Sequence, residues 1–360
     1  MKRYEVNAVL FVKLDHIGDM ILATPVFRAV KERYPECRLG VLCSSKGKAV
    51  LLNNPYVDEI HVYNPDMFDR DHDNNLSTKF NNFLTILEVR DRHYDVCISL
   101  REDHENAIIQ KMTGAAFHIA FSSNCPYPWL LDYSIPKEGA THEAEKNFML
   151  LELLDIVRPP ELETELFPGK EDFRWADRFL QAHGVGCSDK VIAVCPGGGW
   201  FLNWWPWESY AELCDDLWEY DPHYRILIVG GKAELDVVEK IKGKCRCEII
   251  NACGMTTLQQ LSALYSRVNL VVCNDGGPMH VASTVGVPMI ALFGPSPKWF
   301  YPVGENITVI HKKFACSPCP QFQPGEKPKC LDNKCMRTIS EKEVFRKAVE
   351  ILEFMWFHSG

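Results

Sequence analysis

Long hydrophobic runs and basic clusters are both missing from this sequence. No stretch of 18 apolar residues occurs and strand-like sequence begins at Val6, so we expect neither a membrane span nor a signal peptide. The formal net charge is −9 and no block of Lys and Arg stands out, which argues against nucleic acid as a partner. These absences predict a cytoplasmic protein.

The phosphate-binding fingerprints of two large protein classes are also missing. No glycine-rich turn has GxGxxG spacing with a ribose-binding acid about twenty residues beyond it, and none ends in Gly-Lys-Ser or Gly-Lys-Thr. The first absence disfavours a dinucleotide-dependent oxidoreductase. The second disfavours a Walker-type phosphate loop.

Cysteine is abundant, but its arrangement does not predict a disulfide framework. The 15 cysteines are an odd number scattered along 360 residues, which indicates reduced thiols. One group near the C-terminus differs, because its Cys-x2-Cys-x10-Cys-x4-Cys spacing is typical of zinc or iron ligands. It comprises Cys316, Cys319, Cys330 and Cys335. Two interpretations stay open for it, a structural metal site and a surface loop with four thiols.

Short apolar runs alternate with helical periodicity along most of the chain, which predicts βαβ units and parallel sheets. The chain exceeds the size of one usual core, and the proline- and acid-rich segment 158–165 interrupts the rhythm, so we predict two doubly wound α/β domains. We place a Rossmann-like domain at 1–160, a linker and connecting helix at 161–187, a second Rossmann-like domain at 188–340 and a last helix at 341–360. Ligands of such sheets bind beyond the carboxyl ends of the strands.

The turn after the first strand carries the first candidate site. Asp19 lies at the start of a helix there, where it could serve as a general base or simply cap the helix. Lys13, His16 and Gly18 belong to the same turn, and the two basic side chains could orient Asp19 or bind an anion. The residues alone leave both interpretations open.

Glycines follow three strands of the second domain. They are Gly197 and Gly198 after the first strand, Gly230 and Gly231 after the second, and Gly276 and Gly277 after the strand that ends before Asp275. Glycine lets a ligand approach the backbone closely, and backbone N–H groups in such turns bind phosphate. Three such turns in one domain predict a cradle for a nucleotide diphosphate.

Two longer segments resemble a known family. Residues 13–25 (KLDHIGDMILATP) and residues 274–282 (NDGGPMHVA), with Gly-Val-Pro at 286–288 and Leu-Phe-Gly-Pro at 292–295, resemble the N-terminal turn and the C-terminal signature of glycosyltransferase family 9, the bacterial heptosyltransferases. The cysteine group ending at Cys335 also recurs in many members. The matching segments span nearly the whole chain.

The resemblance implies a GT-B fold, in which two Rossmann-like domains face each other across a cleft and the last helix returns to the first domain. It also implies inverting, metal-independent transfer of a sugar from ADP-heptose to a lipopolysaccharide-core or other envelope glycan, with no required cofactor and at most peripheral contact with the inner membrane. Asp19 matches the family's general base, and Asp275 matches the acid that contacts the donor sugar. The residues that match the diphosphate-binding turn are Gly276, Gly277, Met279 and His280.

One donor-binding position departs from the family pattern. The family commonly carries a lysine whose ammonium reaches the donor phosphate, and the alignable residue here is Asn203. An amide does not supply that charge, so another cation such as Lys232 or Lys13 takes over, the donor differs, or the activity is lost. Two alternatives therefore stay open: a protein (adhesin) heptosyltransferase with a metal on the cysteine group, and a non-catalytic nucleotide-sugar-binding relative.

Overall fold

The computed structural model describes residues 6–64, 76–101, 104–123, 125–136, 142–312, 314, 316, 319, 330 and 332–358. The chain divides into two compact units, Met1–Phe167 and Pro168–Gly360. Each unit has its own parallel sheet with helices packed around it. The predicted α/β class with two Rossmann-like units is confirmed.

The first unit is built on a six-stranded parallel sheet in the order β3-β2-β1-β4-β5-β6. Its strands are β1 Ala8–Lys13, β2 Arg38–Cys43, β3 Glu59–Val62, β4 Val96–Ser99, β5 Phe117–Phe121 and β6 Tyr133–Ile135. Its helices are α1 Ile17–Ile21, α2 Thr24–Arg33, α3 Ser45–Leu51, α4 Leu76–Asp91, α5 His104–Met112 and α6 Glu143–Met149. Every residue of β1 is buried, as expected for a central strand covered on both faces.

The second unit repeats this topology. Its strands are β7 Lys190–Cys195, β8 Tyr224–Ile228, β9 Ile249–Asn251, β10 Leu270–Asn274, β11 Met289–Phe293 and β12 Ile307–His311. Its helices are α7 Lys170–Ala182, α8 Trp207–Tyr220, α9 Leu235–Lys244, α10 Leu258–Tyr265, α11 Gly277–Ser283, α12 Lys334–Arg337 and α13 Glu341–His358. The sheet order β12-β11-β10-β7-β8-β9 is the Rossmann order read from the other edge.

Chain order reverses once in each sheet, between β1 and β4 in the first unit and between β7 and β10 in the second. The loops that follow two such strands run in opposite directions, which leaves a crevice at their carboxyl ends where ligands of this fold class bind. The turns after β1 and β10 are the two segments that the sequence analysis singled out. The fold therefore places both at switch points.

The last helix, α13, packs within the second unit. Val344, Ala348 and Leu352 are spaced four residues apart, so they form one stripe, and this stripe is buried in the core that includes Leu213 and Leu217 of α8. The second unit thus covers this stripe, and the packing of the helix on the first domain, which the resemblance implies, stays a prediction. None of the described helices is both long and apolar enough to cross a membrane.

Candidate functional site

Asp19 lies in the first turn of α1, directly beyond the carboxyl end of β1. Its side chain is 24% exposed, and its Oδ2 lies 3.8 Å from Nδ1 of the more exposed His16. His16 is the N-cap residue of α1 but makes no capping hydrogen bond through its side chain, and the Gly18 carbonyl accepts from Leu22 N–H at 2.9 Å. The structure thus brings Asp19, His16 and Gly18 together in one partly open turn.

Lys13 has a different environment, because its ammonium is buried in a network of charges. The residue is 1% exposed, and Nζ lies 2.8 Å from Asp15 Oδ2 and 3.9 Å from Glu143 Oε1. Arg101 donates to the other oxygen of Asp15, and Lys146 Nζ lies 2.9 Å from Glu143 Oε1. An anion therefore reaches Lys13 only by displacing Asp15.

These carboxylates hold Lys13 in its charged form. Burial alone would lower the pKa of Lys13, but Asp15, Glu143 and Asp19 together outweigh it and raise the pKa above its ordinary value. The network thus places the buried Lys13 ammonium near three carboxylates at the switch point of the first sheet. Asp19 is the carboxylate of the three that lies in the partly open turn.

In the second unit the switch point is held by one buried amide. Asn274, the last residue of β10, is 2% exposed. Its Nδ2 donates to the carbonyls of Pro196 at 2.9 Å and Gly197 at 3.2 Å, and its Oδ1 accepts from Trp205 N–H at 3.1 Å and from the Tyr210 hydroxyl at 2.8 Å. The turn after β7, the start of α8 and the end of β10 are therefore fixed to one another.

Asp275 follows this asparagine and is held by two neutral donors. Asn203 Nδ2 donates to Asp275 Oδ2 at 3.0 Å, and the hydroxyl of the fully buried Ser296 donates to the same oxygen. The Ser296 hydroxyl also lies 3.3 Å from Asn203 Oδ1. Asn203, predicted as a donor-binding position, thus contacts the Asp275 carboxylate through its amide.

The glycine turns after β7 and β8 meet around a carboxylate. Gly231 N–H donates to Glu234 Oε2 at 2.7 Å, and a Cβ added to Gly197 would lie 2.0 Å from Glu234 Cγ. The turn after β7 also touches the turn after β10, because a Cβ on Gly198 would lie 3.3 Å from the Asp275 carbonyl oxygen. The three glycine turns therefore meet in one cluster, and their binding of a nucleotide diphosphate stays a prediction. Glu234 makes the Gly197 side of this cluster acidic, which suits hydroxyl groups better than phosphate.

Met279 and His280 belong to α11 and lie inside the unit. Their side chains are 0% and 4% exposed, whereas Gly276 and Gly277 of the same turn are partly exposed. The glycines are thus the members of this predicted group that a ligand can approach. Met279 and His280 support the turn from beneath.

The predicted cysteine group lies against the turn after β11. Cys319 N–H donates to the Pro295 carbonyl at 2.8 Å, and a Cβ on Gly294 would lie 2.8 Å from Cys335 Sγ. Burial raises the pKa of the Cys335 thiol, and the charges of Cys316 and Cys330 add to the increase. Within the described part of the chain, however, no three of these sulfurs lie mutually within 4.8 Å. That separation does not fit a tetrahedral metal centre, and we assign no step to a metal there.

Several residues of the two sites were missed by sequence reasoning. They are Asp15, Arg101, Glu143 and Lys146 in the first unit and Asn274, Ser296 and Glu234 in the second. A polar residue at the end of an otherwise apolar strand is a usable signal, and Asn274 carries it. The contacts that Arg101, Glu143 and Ser296 make with these turns join separate segments of the chain, so no local pattern predicts them.

A comparison with protein families and relatives gives a consistent result. The sequence model of glycosyltransferase family 9 (heptosyltransferase) matches residues 85–329, which is more than half of the chain. The lipopolysaccharide core heptosyltransferase OpsX of Haemophilus influenzae is 24% identical over 290 residues, which cover 80% of this chain and 79% of that protein.

Solved structures share the fold. A glycosyl transferase family 9 protein from Veillonella parvula superposes with a TM-score of 0.83 at 22% identity, covering 97% of this chain and 98% of its own. The E. coli ADP-heptose LPS heptosyltransferase II superposes with a TM-score of 0.75 at 19% identity. The superposition covers 97% of this chain and 99% of the E. coli protein. Both comparisons support the GT-B architecture of two Rossmann-like units.

We expect Lys13→Met to destabilise the protein by roughly 3 kcal/mol, because it removes the buried cation shared by Asp15 and Glu143 and leaves each with one remaining basic partner, Arg101 or Lys146. Urea unfolding measures the change. Lys46→Met is the matched control: it removes an exposed lysine of the same unit and should change stability by less than about 0.5 kcal/mol. Equal stability of the two variants would show that Lys13 is dispensable to the network.

We expect Gly197→Ala to cost about 1–2 kcal/mol, because the new methyl group displaces Glu234 from its hydrogen bond with Gly231. Gly199→Ala is the control, since a Cβ there meets nothing within 4 Å. Thermal unfolding of both variants checks the prediction. A Gly197→Ala protein as stable as Gly199→Ala would mean that Glu234 moves without loss.

Proposed function

Because the chain belongs to glycosyltransferase family 9, the heptosyltransferases, we propose that it transfers heptose from ADP-heptose to a hydroxyl group of a lipopolysaccharide core. The names of two similar proteins support the donor and the acceptor: one is a lipopolysaccharide core heptosyltransferase, and the other an ADP-heptose LPS heptosyltransferase. The proposed reaction is a single displacement with inversion at the anomeric carbon.

One observation carries the proposal: each unit presents a carboxylate at the switch point of its sheet. Asp19 follows β1 and Asp275 follows β10, and both side chains are partly exposed. Two such groups suit a reaction in which an acceptor loses a proton and a donor sugar is oriented.

In the proposed step, Asp19 removes the proton from the acceptor hydroxyl while that oxygen attacks the anomeric carbon of the donor. The bond between this carbon and the diphosphate oxygen breaks, and ADP leaves with the bonding electrons. The Lys13 ammonium and the Asp19 carboxylate attract each other, and this attraction contributes to the raised pKa of Lys13. Backbone N–H groups and solvent at the glycine turns would receive the leaving diphosphate.

On the donor side we propose that Asp275 accepts hydrogen bonds from the sugar hydroxyls. Asn203 and Ser296 already fix Asp275 Oδ2, so the carboxylate needs little reorganisation when a sugar binds. Glu234, at the meeting point of two glycine turns, is proposed to accept from further hydroxyl groups of the donor. A protein acceptor, peripheral contact with the inner membrane and a cytoplasmic location stay predictions.

We expect Asp19→Asn to lower kcat by roughly 10² to 10⁴-fold, because the amide does not take up the proton of the acceptor. Donor affinity should change little, since Asp19 belongs to the other unit from the donor turns. Steady-state transfer assays and calorimetric titration with the donor measure the two quantities separately.

Near-normal turnover of Asp19→Asn would remove Asp19 from the mechanism. A wild-type protein that binds the donor, shows no transfer to any lipopolysaccharide core tested and is unaffected by Asp19→Asn would identify the non-catalytic alternative. Circular dichroism and thermal unfolding of the variant show whether its fold is intact.

We expect calorimetric titration without divalent ions to show selective binding of ADP and ADP-heptose over UDP and GDP sugars. Asp275→Ala should weaken ADP-heptose by at least tenfold and ADP itself much less, because the carboxylate is proposed to contact the sugar. Glu239→Ala is the control, since that carboxylate is exposed on α9 of the same unit. Preferential binding of UDP or GDP forms would contradict the donor assignment.

A further inference from the structure

A compact group of sulfur and carboxylate ligands lies beside β9, the edge strand of the second sheet at the end opposite β12. Cys245 and Cys247 lie between the end of α9 and the start of β9, and Asp215 lies on the neighbouring helix α8. One ligand atom from each of these three residues lies within 4.8 Å of the other two. No other trio of His, Cys, Asp or Glu in the described residues meets this criterion.

This spacing is close to what a tetrahedral cation requires. Zinc–sulfur bonds of about 2.3 Å place two sulfur ligands roughly 3.8 Å apart, so ligand atoms within 4.8 Å need only small side-chain movements to share one ion. The two cysteines flank Arg246 in a bend between α9 and β9, and this bend brings both sulfurs close together.

The carboxylate is oriented by the same segment. Asp215 is 8% exposed, and its Oδ1 accepts from Arg246 N–H at 2.8 Å and Cys247 N–H at 3.0 Å. Its Oδ2 contacts Arg246 Nε at 3.3 Å, and Arg246 is also paired with Glu219. Hydrogen bonds of this kind orient metal ligands, and Oδ2 is the oxygen that can exchange its partner for a cation.

A third thiol adjoins the group. Cys214 of α8 is fully buried near Cys245, whose thiol donates to the Ala211 carbonyl at 3.5 Å. Cys245 is half-buried and the Arg246 side chain is 63% exposed, so solvent reaches this side of the group. A cation could enter from there and keep one water ligand.

We propose that Asp215, Cys245 and Cys247 form a binding site for a thiophilic divalent cation, with zinc as the expected occupant. Two thiolates and a carboxylate suit zinc better than the hard cations calcium and magnesium, and binding releases the two thiol protons to solvent. The ion would join α8, α9 and β9, so its role is structural. The site lies away from the glycine turns and does not depend on the proposed reaction.

Cobalt(II) titration of the reduced, chelator-treated full-length protein tests this proposal. Wild type should bind one equivalent with intense thiolate-to-cobalt absorption in the near-ultraviolet, and zinc should displace it. The variant Cys245→Ser with Cys247→Ser should bind at least 100-fold more weakly. Cys187→Ser, which removes an exposed thiol elsewhere, should behave like wild type.

A second pair of variants separates this site from the C-terminal cysteine group. Cys316→Ser with Cys330→Ser should leave the cobalt signal of the proposed site unchanged. Loss of all thiolate absorption in the variant lacking Cys316 and Cys330 would overturn the proposal. Full retention of that absorption in the variant lacking Cys245 and Cys247 would overturn it as well.

Stability gives an independent readout. Zinc should raise the Tm of wild type by several degrees, because a ligand of the folded state stabilises it, and should not raise that of the double-serine variant. If that variant does not fold, the single change Cys245→Ala at the half-buried position replaces it. An equal zinc-induced shift in wild type and variant would contradict the site.

Discussion

The arrangement of the turns at the switch point of the second unit depends on the hydrogen bonds of the buried Asn274 side chain. It uses both N–H groups and two acceptor positions, and its four partners come from the turn after β7 and from the start of α8. Truncating it would leave buried carbonyl and donor groups without partners, which costs more than the hydrogen bonds contribute singly. Because Asp275 is the next residue, its position follows from the same set of bonds.

The first unit fixes the equivalent place in its sheet by charge instead of by an amide. Lys13 ends β1 as Asn274 ends β10, but its partners are Asp15 and Glu143. Buried ions are expensive to desolvate, so such a network contributes a defined arrangement more than it contributes net stability. The consequence for Asp19 is electrostatic, since a fixed ammonium lies near a carboxylate that remains partly exposed.

Much of the fold could be predicted because the central strands are short apolar runs and the helices are periodic. Two edge strands, β6 and β12, gave no such signal, since most of their residues are only partly buried and their pairing decides their conformation. The candidate turns could be located from glycines and acids beside strand ends. Their partners could not, because Ser296 and Glu234 reach Asp275 and Gly197 only through the packing of separate βα units.

The departure at Asn203 acquires a physical meaning from its contacts. In the proposed reaction, a lysine at this position would place an ammonium between Asp275 and the donor phosphate. Its positive charge would then interact with both anions. The amide instead donates to Asp275 and lies beside the Ser296 hydroxyl, so it positions the carboxylate without neutralising it. Two neutral donors orient the Asp275 carboxylate through hydrogen bonds and bring no opposite charge to it. Under the proposed function, the orientation of Asp275 is thus independent of the groups that would receive the diphosphate, which we assign to the backbone N–H groups of the glycine turns.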